Sequence, residues 1–181
     1  MLNLRRADRR CRIQHCRPWR CPHQAVCHDT QGENRPGWEA AVLLRIDHVG
    51  IACRNLDEAI ERYESAFGLT VASREDSTEQ GVREAMLEVG QAGGGPSWVQ
   101  LLEPLGPDTP VGRFLARRGE GVHHIGYAVA DIHAALAELG GGQIRLIDER
   151  PRHGSMGAAI AFLHPADLGG VLTELVQPAS R

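Results

Sequence analysis

Two stretches of the chain share one alternation of apolar, small and polar positions: RIDHVGIAC at 45–53 and GVHHIGYAV at 121–129. A two-residue period puts Ile46, His48, Gly50 and Ala52 on one strand face and Val49, Ile51 and Cys53 on the other. The second copy divides in the same way, with Val122, His124, Gly126 and Ala128 facing away from Ile125, Tyr127 and Val129. After the first strand the period changes to that of a helix. Leu56, Ala59, Ile60, Tyr63 and Phe67 predict one near Leu56 to Phe67, with Asn55 or Asp57 as cap and Gly68 as stop. After the second strand, Asp131 caps a helix whose apolar stripe is Ile132, Ala135, Leu136 and Leu139, and Gly140 to Gly142 end it.

Three strand-like runs follow each helix. In the first half they lie at about 69–75, 82–89 and 97–103, with the turn QAGGGPS between the last two; in the second they are IRLIDE, AAIAFLH and VLTELVQ. The predicted fold is therefore α+β, two tandem βαβββ modules at about 45–104 and 121–178 that form a single domain over 45–178. The linker, about 105–120, contains PDTPVGRFLARRGEG, which predicts a short helix with Pro110 in its first turn.

Residues 1–40 stand apart, with eight Arg, four Cys (Cys11, Cys16, Cys21, Cys27) and three His but no sustained apolar period. The Cys spacings contain no C-x-x-C pair and fit neither a zinc site nor a disulfide framework, so this segment is expected to be a disordered extension. The formal net charge of -3 provides no basic field for nucleic acid or an anionic membrane. All 20 basic residues are Arg, which reads as the coding bias of a GC-rich genome, and a bacterial source is expected. No apolar run reaches the ~18 residues of a membrane span, and a secretion signal is lacking, so a cytoplasmic protein is expected.

The candidate chemistry lies in the repeat. Gly and Ala beside each His leave room for a cavity, whereas the other face must pack beneath a helix. His123 falls on that packing face by parity and is expected to be structural. Each module closes on a strand with one polar residue in an apolar run, Gln100 in WVQLLE and Glu174 in VLTELVQ; these stand 52 and 50 residues after their histidines. Pseudo-twofold symmetry would bring His48, Gln100, His124 and Glu174 together, and two imidazoles, an amide oxygen and a carboxylate suit a divalent metal. Glu84 has no counterpart: aligning Gly81 with Gly157 sets it opposite Ile160. An unduplicated carboxylate on the cavity face is a candidate general base.

These paired modules resemble the vicinal oxygen chelate superfamily, with its glyoxalase/bleomycin resistance/dioxygenase-like fold, and in detail its methylmalonyl-CoA epimerase family. The resemblance runs from about Ile46 to Gln177 on the motifs DHVGIA, EQGVREAML, LLEPLGPDTPVGRFLARRGEGVHHIGYAV, LIDERPRHGSMGAAIAFLHP and GGVLTELVQ. It implies that His48, Gln100, His124 and Glu174 bind a divalent ion, cobalt being the family's metal. It also implies that Glu84 and Glu174 flank the α-carbon of methylmalonyl-CoA as acid and base. The implied reaction is two-base epimerisation through a metal-stabilised enolate in propionyl-CoA metabolism, by a homodimer. Arg113, Arg117, Arg118 and Arg152 are the candidate contacts to the CoA phosphates. A glyoxalase-like lyase or isomerase remains an alternative, against which stand Gln100 in place of a second carboxylate and the linker motif. A non-catalytic ligand-binding module of the same fold would not need both a full ligand set and a free base. Extradiol dioxygenases, with two His and a carboxylate on iron, leave Glu84 unexplained.

Overall fold

The structure, a computed structural model, describes residues 42–90 and 97–179. The first half forms β1 (Arg45–Ala52), α1 (Leu56–Phe67), β2 (Val71–Ser77), β3 (Val82–Val89) and β4 (Ser97–Pro104). A linker helix, α2 (Pro110–Arg118), leads to β5 (Gly121–Ala128), α3 (Ile132–Gly140), β6 (Arg152–His153), β7 (Ala159–Leu163) and β8 (Thr173–Gln177). Residues 1–40 and most of the QAGGGPS turn lie outside the described residues.

Local chemistry accounts for the helices. The Asn55 side chain, not that of Asp57, accepts from the Asp57 and Glu58 amides, and Gly68 closes α1 in the left-handed region at φ 67°. Asp131 caps α3 in the same manner, accepting from His133 and Ala134. Thr109 caps α2 and Pro110 occupies its first turn, where a missing amide hydrogen costs nothing.

The strands form one sheet in the order β2-β3-β4-β1-β5-β8-β7-β6, curled into a half-barrel. β1 runs parallel to β4 and β5 parallel to β8, while β1 and β5 meet antiparallel at the centre. The two halves are thus related about the β1–β5 seam. On one side of the sheet α1 covers Ala85, Leu87 and Leu101, and α3 covers Ala161, Leu163 and Leu175. Val82 alternates with Ala85 and Leu87, so it faces the other side, where Val111 and Leu115 of α2 pack against it, Ala52 and Leu102. Each buried Leu in these clusters contributes on the order of 2 kcal/mol. The site is built on the same side as α2.

Two departures from simple alternation matter. The run IRLIDE is not a continuous strand: Leu146 bridges Leu163, but the Ile147 and Asp148 amides both donate to the Phe162 carbonyl. The Asp148 carboxylate takes the Phe162 amide, and the short strand that does form, β6, lies beyond the run at Arg152–His153. At the seam, β1 has one residue too many between the pairs Ile46–Tyr127 and His48–Gly126, namely Asp47. β5 likewise has an extra residue, His123, between Gly50–His124 and Ile51–Val122. Both are β-bulges, which reverse the phase of alternation. Ile46 and Val122, expected on the face of His48 and His124, are instead 49% and 56% exposed.

Candidate functional site

The two histidines face each other across the seam, each lying over a glycine of the other half. Gly50 is the cross-strand partner of His124, and Gly126 that of His48. A Cβ on Gly50 would stand 2.2 Å from His124 Cε1, and one on Gly126 2.4 Å from His48 Cε1. These positions must therefore lack a side chain for the rings to lie where they do. The rings are perpendicular, with Nε2 atoms 3.0 Å apart.

Gln100 on β4 and Glu174 on β8 complete the group, for each closing strand is the parallel neighbour of its own histidine strand. All four side chains are buried. Glu174 Oε2 lies 2.8 Å from His48 Nε2 and 3.4 Å from His124 Nε2, yet it makes no aligned hydrogen bond. Gln100 Oε1 is also buried without a partner. Its amide group donates to Glu84 Oε2 at 2.7 Å and to Ser155 Oγ at 3.0 Å, which leaves the oxygen as the unused atom. Unpaired buried acceptors beside two imidazole nitrogens are costly unless a cation joins them. Adjacent ligands held at right angles, at about 2.1 Å from an ion, stand about 3.0 Å apart, close to the observed Nε2–Nε2 separation. The donor set fits a divalent ion.

The same residues also perturb one another's titration. Burial alone would lower the His48 pKa, but the adjacent carboxylates of Asp47 and Glu174 outweigh it and raise it. Burial would raise that of Glu174, but the imidazoles of His124 and His48 close beside it pull it below the ordinary carboxylate range. The group is a concentrated carboxylate–imidazole cluster.

Glu84 is 2% exposed, on the cavity face of β3. Both its oxygens are held: Oε2 by Gln100, and Oε1 by the Ser155 hydroxyl at 2.5 Å. Burial raises its pKa, and the charges of Glu75 and Glu174 add to that, against the hydrogen bonds from Ser155 and Gln100. A cavity of about 380 Å³ opens beside His48, Gln100, Ser155 and Glu174, with Arg45 and Trp98 at its wall. A smaller one of about 210 Å³ reaches His123 and His124 from the side of α2.

Three residues were not foreseen. Ser155 comes from the loop HGSMG, in which Met156 takes a φ of 55°, unusual without glycine; that glycine-flanked serine was its only signal. Asp47 is buried, accepts from Arg45 at 2.8 Å, and stands 3.3 Å from His48 Nδ1. His123, expected on the packing face, is turned to the site by its bulge: its Nδ1 is 3.0 Å from Nδ1 of His124, and its ring stacks edgewise on Phe114 of α2. Burial and the neighbouring His124 lower its pKa to about 4, so it is neutral. Among the proposed CoA contacts, Arg152 pairs with Asp148, lies over Phe162 and borders the smaller cavity. Arg113 donates to the Asp108 carbonyl, and Arg117 and Arg118 are exposed at the end of α2.

Residues 47–162 match the model of the Glyoxalase/Bleomycin resistance protein/Dioxygenase superfamily. Over 136 residues the chain is 37% identical to the mitochondrial methylmalonyl-CoA epimerase of Homo sapiens, covering 75% of this chain and 74% of that protein. A solved methylmalonyl-CoA epimerase in complex with methylmalonyl-CoA and NH4+ superposes with a TM-score of 0.74 at 50% identity, covering 76% of this chain and 96% of the other. A variant of the Streptomyces coelicolor methylmalonyl-CoA epimerase in complex with 2-nitronate-propionyl-CoA gives the same TM-score and identity, covering 76% and 99%.

Proposed function

Because the chain belongs to the methylmalonyl-CoA epimerases of the Glyoxalase/Bleomycin resistance protein/Dioxygenase superfamily, we propose that it interconverts (R)- and (S)-methylmalonyl-CoA, in propionyl-CoA metabolism. The observation that carries this reading is one buried cluster that combines His48, His124, Gln100 and Glu174 with a second carboxylate, Glu84, held apart from the imidazoles by Ser155 and Gln100. The first four would hold a divalent ion, cobalt being the choice the family resemblance implies. When bound, the ion supplies a Lewis acid that offsets the negative charge developing on the thioester oxygen as the α-proton leaves.

The α-hydrogen of the substrate lies between a thioester carbonyl and a carboxylate, and inversion requires a proton to leave from one face and return on the other. Glu84 removes or returns it on one face, and Glu174 serves the opposite face. Burial makes Glu84 a stronger base than an exposed carboxylate, while its two hydrogen bonds fix its position. Glu174, its charge shared with the imidazoles, is the weaker base of the pair. The cavity of about 380 Å³ beside the cluster gives the malonyl group room next to these residues. Among the described residues no helix is long and apolar enough to cross a membrane. A homodimer in the bacterial cytoplasm completes the proposal.

The test is to give the cobalt-loaded protein one epimer of methylmalonyl-CoA and follow formation of the other by chiral analysis. A chelator should stop the reaction and a divalent cation restore it. Turnover of a glutathione hemithioacetal without epimerisation would favour the glyoxalase-like alternative.

A further inference from the structure

The two bulged residues occupy equivalent places: Asp47 directly precedes His48, and His123 directly precedes His124. Without a bulge, each would point away from the site by alternation. With it, each lies against the Nδ1 atom of the following histidine, at 3.3 Å for Asp47 and 3.0 Å for His123. The two Nε2 atoms then converge beside Glu174. A disruption of the ladder repeated at both symmetry-related positions, each beside a candidate ligand, calls for a common purpose.

We propose that Asp47 and His123 are positioning residues that hold the His48 and His124 rings through Nδ1, so that each presents the lone pair of Nε2 to the cation. The inference rests on the metal reading above. A carboxylate can only accept, so Nδ1 of His48 carries the proton and donates to Asp47 Oδ1. Arg45 donates to the other Asp47 oxygen and keeps the carboxylate in place. At the second histidine, Nδ1–H of His124 donates to the unprotonated Nδ1 of His123, whose ring is braced by Phe114. Two imidazoles related by the repeat are thus backed by different groups, one anionic and one neutral. An anionic acceptor makes the ring it backs the stronger donor to a metal, so His48 should be the tighter ligand of the two.

The experiment titrates metal-free full-length protein and its variants with Co2+, by calorimetry and by the visible absorption of the bound ion. Asp47→Ala and His123→Ala should each weaken Co2+ binding by about 10- to 100-fold and alter the absorption bands, with the larger loss at Asp47. Asn at either position offers an amide oxygen to Nδ1–H, so Asp47→Asn and His123→Asn should recover most of the loss. A merely structural role would not predict that rescue. Imidazole 15N spectra of the Zn2+-loaded wild-type protein provide a second reading, independent of whether a variant folds: both His48 and His124 should be protonated at Nδ1. Folded alanine variants with wild-type Co2+ affinity and spectrum, or a proton on Nε2 of either ring, would overturn the proposal while leaving the metal site standing. Failure of the wild-type protein to bind Co2+ or Zn2+ would remove the metal reading and the inference with it.

Discussion

At the scale of single residues, Glu84 tests the chemistry most directly, since the repeat does not duplicate it. Glu84→Gln keeps the side chain's size and an oxygen that can accept from Gln100, with its amide NH2 able to donate to Ser155 Oγ, but it cannot accept a proton. Metal binding should survive, epimerisation should fall by about two to four orders of magnitude, and exchange in heavy water should persist for the one epimer whose α-hydrogen faces Glu174. Near-normal epimerisation would exclude Glu84. Because burial raises its pKa, the active, deprotonated form is lost at a higher pH than for an ordinary glutamate of about 4.3. The acid limb of kcat/KM should therefore lie above that value and disappear from the residual rate of the variant. Gly126→Ala probes the cavity instead: its Cβ would meet His48 at 2.4 Å, so metal affinity should drop while circular dichroism stays unchanged. The glycines, the two histidines, Gln100, Glu174 and Glu84 could all be placed on the cavity face from period and repeat alone. Asp47 and His123 could not, because a bulge adds a residue to the pairing without a mark in the sequence. Ser155 could not either, because a loop has no period to read.

At the scale of elements, helices were legible to the residue where caps are chemical. Asn55 and Gly68 bound α1 as the sequence indicates, and Asn55→Ala should destabilise the protein by about 1 kcal/mol, measured by denaturant unfolding, with turnover of the remaining folded protein unchanged. A loss of turnover would mean that α1 takes part in more than covering the sheet. Strands were legible where both faces have clear roles. Glu84 pairs with Leu102 and Ile160 with Val176, so the alignment that set Glu84 against Ile160 has its counterpart in the ladders. The IRLIDE run misled because its apolar residues still pack inward from a loop: Ile144 and Leu146 join the core under α3 without continuous pairing. Hydrophobic spacing reports burial, and only the hydrogen bonds of Asp148 and Phe162 reveal that the ladder is broken there.

At the scale of the whole molecule, Val42 and Leu44 mark where the described fold begins, the first packed on the α3 core and the second donating its amide to the Ala128 carbonyl. A chain starting at Ala40 retains both contacts and should show the same melting temperature and epimerase activity as the full-length protein. A loss would show that the Cys-rich segment contributes to folding. The crossing of each histidine over the other half's glycine has a further meaning. One half alone owns one imidazole and one closing-strand oxygen, and its glycine would face no ring. If the chain were cut between β4 and α2 and the fragments expressed separately, neither would hold an ion, and activity would return only on mixing. Complementation is thus built into the seam, each half supplying the vacancy that the other half's ring fills.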